Sequence, residues 1–474
     1  MIRSRRLELQ HLELVMLLLG IALRIADGFT YPVEQGYDFP FHWRYVRYIV
    51  EHGALPPLDL NVSTYHHPLW FLSAALSVHL GASEQALAFL SAAFGSLRLL
   101  SLWIGFRWLL PERPVARVVA LTAAAFWPTS VHLDAMAQPE ALSNLWSALA
   151  MLLFIAIGRS ETRRLEVEQR SGGRIRLWIA LGIVLGMGFL TKVSIIVVAA
   201  ALSCAVLVDS IRRLRPGVLP VRPRCLSALG LAVALGLAAL IGAPQWVRNL
   251  KETGQLLPTA FELYQKDQMA RHVSVSYLDR RSLGFFVGWT NDIYEKPYAP
   301  TANNPPRFWP VLVASTFSDY YNFAFSPPPK AEREPDPRFN GRSGPRKNAV
   351  RLSIASVVGG TVVLGMTIVG WLFAFRWAWR RRDFTVLGLL FVPLLALLGQ
   401  LHFATKYPID ALGVIKGAYL QFAAPPLFAV YGASIAWLLR HRLGRALGYL
   451  GLAALAPIVA YTLYARALAP FVDV

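Results

Sequence analysis

Long apolar runs recur along the chain, separated by short clusters of arginine. A helix needs about 20 such residues to cross the hydrocarbon core of a bilayer. The runs Leu12–Phe29, Ala86–Leu110, Val115–Val131, Ala141–Ile157, Leu177–Leu190, Val193–Val208, Leu226–Trp246, Leu352–Phe375, Phe384–Leu401, Ala418–Leu439 and Ala446–Tyr464 predict about eleven transmembrane helices. Leu69–Leu80 is apolar too, but at about 12 residues it is short for a span. Charge parity decides its place. If it does not cross, Arg113/Arg117, Arg159–Arg176, Arg212–Arg224, Arg376–Arg382 and Arg440–Arg445 all share the side of the N-terminal Arg3, Arg5 and Arg6, as the positive-inside rule requires. Leu69–Leu80 therefore reads as a re-entrant or interfacial helix, tolerated where it packs on protein. The same parity makes Leu177–Val208 a hairpin turning near Thr191-Lys192. The expected fold is an all-α polytopic membrane protein, N-terminus cytoplasmic and C-terminus outside.

The parity gathers four segments on the outer face: Tyr31–Trp70, His132–Glu140, Arg248–Val350 and His402–Gly417. The first is too polar to cross a membrane and too aromatic for an ordinary loop. Asp38 followed by Pro40 is a helix-start signal, and Gly53 a stop. Phe41, Tyr45 and Tyr48 would share one face of that helix, which suits a helix lying along the interface. Asp38 then has two readings, a cap and nothing more, or a carboxylate of a site that also holds His42 four residues on. Ser326–Asn348, rich in Pro and charge, reads as a flexible part of the long outer loop.

Composition agrees. Of 474 residues, 55% are hydrophobic and only 16% charged, more apolar than a soluble domain needs. The formal net charge of +19 suggests nucleic acid until the arginines are located: most lie in the short loops between spans, so no nucleic-acid partner is expected. The first apolar run carries no A-x-A-like cleavage site. The two cysteines, Cys204 and Cys225, offer neither a disulfide framework nor zinc spacing.

Candidate chemistry sits on the outer face. Asp38 and His42 lie in the first loop with Tyr65, His66 and His67. Asp134 and Glu140 fall in VHLDAMAQPE, between two spans. Arg248 and Asn249 mark the exit of one helix, and Lys416 with Tyr419 the entrance of another; Lys192 sits in the hairpin turn. Each has a plainer reading: acids at helix ends, cations snorkelling to the headgroups. Carboxylates and cations recurring on one side are harder to dismiss.

The motif order Y-D-x-P-x-H (Tyr37–His42), HG-x-LP (His52–Pro56), Y-x-H-P-L (Tyr65–Leu69), L-D (Leu133-Asp134), G-F-L-T-K (Gly188–Lys192), W-V-R-N-L with T-G-Q (Trp246–Gln255) and I-K-G-A-Y-L (Ile415–Leu420) resembles the GT-C superfamily of membrane glycosyltransferases. Its nearest branch looks like the protein mannosyltransferase and lipid A aminoarabinose transferase group, which uses polyprenyl-phosphate sugars. The resemblance covers most of the chain. It implies a single GT-C type domain over 1–474, with a first extracytoplasmic loop at 29–85 carrying interfacial helices and a long loop at 247–350. It also implies a catalytic acid at Asp38, a second acid at Asp134, and a plasma (inner) membrane location with an extracytoplasmic site. Protein mannosyltransferases carry an Asp-Glu pair where this chain has Asp38-Phe39, and His67-Pro68 shows one proline where relatives often show two. Sugar and acceptor stay open.

The residues suit that chemistry on their own terms. A sugar on a polyprenyl phosphate is already activated, and no nucleotide fingerprint appears. Transfer to a hydroxyl needs a base, a role for a partly buried carboxylate such as Asp38; with an anionic acceptor no base is needed, and Asp38 would only orient the sugar or acceptor. Transfer also needs cations for the departing phosphate, for which Arg248 and Lys416 are candidates with Lys192 behind them. Direct attack would invert the anomeric carbon. No cofactor is required; a divalent metal (Mg or Mn) on Asp38 and Asp134 is compatible with the resemblance. The expected partners are a polyprenyl-phosphate-sugar donor, an envelope lipid, glycan or protein acceptor, and membrane lipids. The competing class is a transporter or lipid-linked sugar flippase, which predicts paired repeats and mid-membrane charges.

Overall fold

A computed structural model describes residues 2–31, 33, 36, 38–166, 172–213, 222–259, 262–263, 276–297, 303–318, 347–408 and 414–465. The Pro-rich stretch Ser326–Asn348 lies almost wholly outside them. The described residues form 17 α-helices and no strand. Seven helices are long and apolar enough to cross a membrane, nine if each of two bent pairs counts as one span. The count of about eleven is thus not reached on length and composition. The two runs left over are α1 (Ile2–Thr30), which carries Glu13, Arg24 and Asp27, and α8 (Gly172–Phe189), whose apolar part is short.

Chain order explains the site. After α1 come α2 (Phe39–His52), α3 (Leu69–His79) and the span α4 (Ala86–Leu109). The run expected as one span at Val115–Val131 is two helices, α5 (Pro114–Ala125) and α6 (Pro128–Ala135), bent by 50°. Pro128 cannot donate into a continuing ladder, so the helix breaks there. The run Ala418–Leu439 is broken likewise. A 3-10 segment, Gly417–Ala423, meets Pro425–Arg440 at 75°, with Pro425 and Pro426 at the corner. The two broken spans pack on each other, and Arg98 spans the joint, donating to Ser130 Oγ (2.5 Å) and the Gln421 carbonyl (3.4 Å). Non-helical backbone at membrane depth is tolerated only where protein covers it.

The helix α7 (Glu140–Glu166) leads to α8, which forms the expected hairpin with α9 (Ile195–Arg213). Its tip meets the first outer loop: the Leu69 N–H donates to the Leu190 carbonyl at 2.9 Å. The helix α10 (Arg222–Thr253) packs on α8. Two apolar cores fill the bundle, one among α7, α8, α9 and Phe384–Lys406, the other among α1, α4, α5, Lys347–Arg381, Pro425–Arg440 and Arg445–Leu463. A third lies above them, where Val33, Phe39, Tyr45, Val46, Trp70 and Phe71 bury together.

That upper core corrects the expected face of α2. Phe41, Tyr45 and Tyr48 do not act together: Tyr45 is fully buried and stacks on Phe71 (3.9 Å), while Phe41 is exposed and Tyr48 stacks on His52. The buried face is Phe39, His42, Tyr45 and Val46, because α3 offers α2 an apolar partner that the sequence pattern cannot place. With 11 residues, α3 is about 16 Å long, half the hydrocarbon thickness. It buries Trp70, Phe71, Ala74 and Ala75 and exposes Leu72 and Leu76, the surface of a helix set between protein and lipid.

Candidate active site

Asp38 stands at the entrance to α2, but it does not cap the helix with its side chain. Its carboxylate makes no capping bond; its carbonyl accepts from the Phe41 and His42 N–H groups, both at 3.0 Å. Its backbone is left-handed, at φ 55°, a conformation costly for a residue with a Cβ and typical of functional positions when no turn chemistry demands it. The residue is exposed, yet its carboxyl lies close enough to other groups that its pKa is raised, first by burial and then by Glu140, with Lys192 opposing.

Glu140 begins α7, and its Oε1 pairs with Lys192 Nζ at the hairpin tip. Lys192 in turn lies 5.7 Å from the Tyr419 ring centre, and Lys416 Nζ lies 5.4 Å from the same ring. Two ammonium groups thus flank one aromatic ring. Lys416 is almost wholly buried, and burial pulls its pKa down to about 7. The backbone beside it is fixed: the Gly417 N–H donates to Ser315 Oγ (2.9 Å), and a Cβ on Gly417 would come within 2.7 Å of the Thr316 Cα. Only glycine allows that approach.

The imidazoles line the other side. His42 sits within 6.0 Å of the rings of His66, Trp70 and Phe71, and Tyr65 packs on His66 at 4.2 Å. Burial lowers the pKa of His42 and of His67 to about 4 and that of His66 well below its usual value. All three are neutral at physiological pH, so they can offer hydrogen bonds but no positive charge.

The fold therefore brings together Asp38, His42, His66, Glu140, Lys192, Tyr419 and Lys416. It places the remaining candidates differently. Asp134 is not in an outer loop: it lies inside α6, fully buried, with Oδ2 on Arg24 Nε at 2.7 Å. Arg24 also donates to the Gly20 and Ala125 carbonyls. Arg248 donates from Nη2 to the Pro56 carbonyl and from Nε to Glu252 (2.8 Å), tying α10 to the first outer loop. Asn249 is buried and serves its own helix end, accepting from Gln245 (2.8 Å) and donating to the Leu256 carbonyl (3.2 Å). Lys192, placed behind Arg248 and Lys416 as a candidate cation, is the one that joins Lys416 at Tyr419. Arg24 and Arg98 were overlooked; a charge inside an apolar run was the available signal.

The described residues do not gather a metal-ligand set. No three His, Cys, Asp or Glu side chains among them come together as one, and Asp134 spends Oδ2 on Arg24.

Residues 10–269 match the model of a family described as a family of unknown function, DUF6541. No curated protein matches the chain in sequence. Among solved structures, the Archaeoglobus fulgidus oligosaccharyltransferase tethered to an acceptor peptide containing the NVT sequon is similar at a TM-score of 0.58 and 15% identity, over 97% of this chain and 55% of that chain. The oligosaccharyltransferase AglB of the same organism, in complex with an inhibitory peptide and a dolichol-phosphate, gives 0.53 and 16%, over 96% and 55%. ArnT from Cupriavidus metallidurans bound to undecaprenyl phosphate gives 0.38 and 14%, over 89% and 76%, a score that carries no weight here. The chain spans about half the length of the two oligosaccharyltransferase chains. It has their fold, the GT-C membrane fold that the motif order implies.

Proposed function

The chain belongs to the family of unknown function DUF6541, and we propose that it is a membrane glycosyltransferase. In this reading it moves a sugar from a polyprenyl-phosphate-linked donor to an envelope acceptor on the extracytoplasmic face of the plasma membrane. The observation that carries the reading is the pairing of a strained, partly enclosed carboxylate at Asp38 with two lysines, Lys192 and Lys416, around Tyr419. Transfer from a lipid phosphate needs those two functions and little else: a base for the attacking hydroxyl and positive charge for the leaving phosphate.

Asp38 takes the acceptor proton as the hydroxyl attacks the anomeric carbon; the carbon–oxygen bond to the phosphate breaks with inversion. A carboxyl pKa raised by burial and by Glu140, with Lys192 opposing, makes Asp38 a stronger base than a free aspartate. Lys416 and Lys192 hold the phosphate, and the Tyr419 ring that both ammonium groups stand over limits where it can sit. His42 and His66, neutral and packed against aromatics, orient sugar hydroxyls rather than balance charge. Asp134 serves in this reading as the internal partner of Arg24, and Arg248 with Asn249 as the brace of the outer loop. The acceptor class, the sugar and its ring size are left to experiment.

Asp38→Asn is the direct test. Purified variant and parent are given a polyprenyl-phosphate sugar and an acceptor extract, and transfer is followed by mass spectrometry. A loss of about 10²–10⁴-fold is expected with donor binding retained. Near-normal turnover would remove Asp38 from the chemistry. A flippase would instead move labelled donor lipid across a vesicle membrane, at a rate indifferent to Asp38→Asn.

A further inference from the structure

The pairing of Glu140 with Lys192 has a feature that a mere brace does not need. One carboxylate oxygen, Oε1, lies on the Lys192 ammonium, while the other, Oε2, is buried and makes no hydrogen bond among the described residues. A carboxylate built only for support is normally satisfied on both oxygens, because a half-paired buried anion is costly. Glu140 is also the first residue of a 27-residue helix, and the open N–H groups of such an end favour an anion whatever its origin. Lys192 and Lys416 both stand over Tyr419, at 5.7 and 5.4 Å. Two like charges around one ring favour an anion between them.

Resting on the donor chemistry argued above, we propose that the Glu140 carboxylate is a resident anion that occupies the lipid-phosphate position on Lys192, and that the donor phosphate displaces it. Lys192 is then never an unpaired half-buried cation between turnovers. The subsite accepts a phosphate only by exchange, which weakens binding of donor and of released lipid phosphate alike and so helps product to leave. Displacement also frees the Glu140 carboxylate to face Asp38, so that arrival of the donor and readiness of the base are linked through one side chain.

The test is binding of undecaprenyl phosphate, without sugar, to the purified full-length protein in nanodiscs. Glu140→Gln removes the competing charge and keeps the length, so binding should tighten by about tenfold. Lys192→Met should weaken it by a similar factor. Unchanged or weaker binding by Glu140→Gln, with Lys192→Met still weak, would overturn the exchange and leave the phosphate reading intact, making Glu140 a brace. Unchanged binding by Lys192→Met would remove Lys192 from the phosphate site and defeat both. Should Glu140→Gln fail to fold, Glu140→Asp keeps the charge but withdraws it by one methylene. It should tighten binding by about threefold, and equal or weaker binding would sink the proposal.

Discussion

Asp38 is held at φ 55°, ψ 19° with no side-chain capping bond to reward the conformation. Glycine accepts that backbone without strain, so Asp38→Gly should raise stability by about 1 kcal/mol while abolishing transfer; thermal melting beside an activity assay checks both. A less stable glycine variant would mean that the carboxylate supports the fold. Lys416 carries a second prediction. Its pKa of about 7 comes from burial, so the free site holds the charge below neutrality and loses it above. A phosphate bound beside it favours the charged form, and binding there takes up a proton. The donor KM should therefore be flat below pH 7 and climb by up to tenfold per pH unit above it. Lys416→Met should show a weak, pH-independent KM and transfer lower by about 10²–10³-fold. A parent KM that does not change between pH 6 and 8.5 would show that Lys416 does not meet the phosphate.

At the scale of elements, the arrangement depends on helices that break. The bends at Pro128 and at Pro425-Pro426 let α6 and the segment Gly417–Ala423 meet beneath the first outer loop. There the pair Arg24–Asp134 sits with neither side chain more than 1% exposed. Removing one partner of a buried pair leaves an uncompensated charge, whereas replacing both with apolar groups can be nearly neutral. Asp134→Leu alone should cost about 3–5 kcal/mol, and the double variant Arg24→Met/Asp134→Leu should recover most of it. If Asp134 is a partner for Arg24 and no more, the double variant also recovers activity. A stable double variant without activity would give Asp134 a chemical role after all.

For the whole molecule, the prediction is topological. The basic turn at Leu443, 98% exposed, lies on the cytoplasmic side by charge parity, and Asp59, exposed in the first outer loop, lies opposite. With Cys204 and Cys225 changed to Ser, single cysteines at positions 443 and 59 should react with an impermeant maleimide from opposite faces of oriented vesicles. Labelling from the same face would sink the arrangement and remove the outer site with it.

Periodicity alone carried the helical class, the shortness of Leu69–His79 and the hairpin with its tip near Lys192, since these follow from lengths of apolar runs; charge parity adds the expectation that Asp38 lies outside. Motif order supplied the GT-C fold. Which charged residues are partners was a different matter. Arg24 and Asp134 are 110 positions apart, Glu140 and Lys192 52 apart, and Lys416 reaches Tyr419 beside a lysine from another hairpin. Sequence reading placed Asp134 in a loop because His132–Glu140 looks polar, yet His132–Ala135 is helix, its charge hidden by an arginine from α1. It paired Lys416 with Arg248 because both stand at helix ends expected on one face, but Arg248 turns to the Pro56 carbonyl instead. Side of the membrane is a one-dimensional property that a sequence carries. Partnership is decided by which helices bend and pack, and only the assembled chain fixes that.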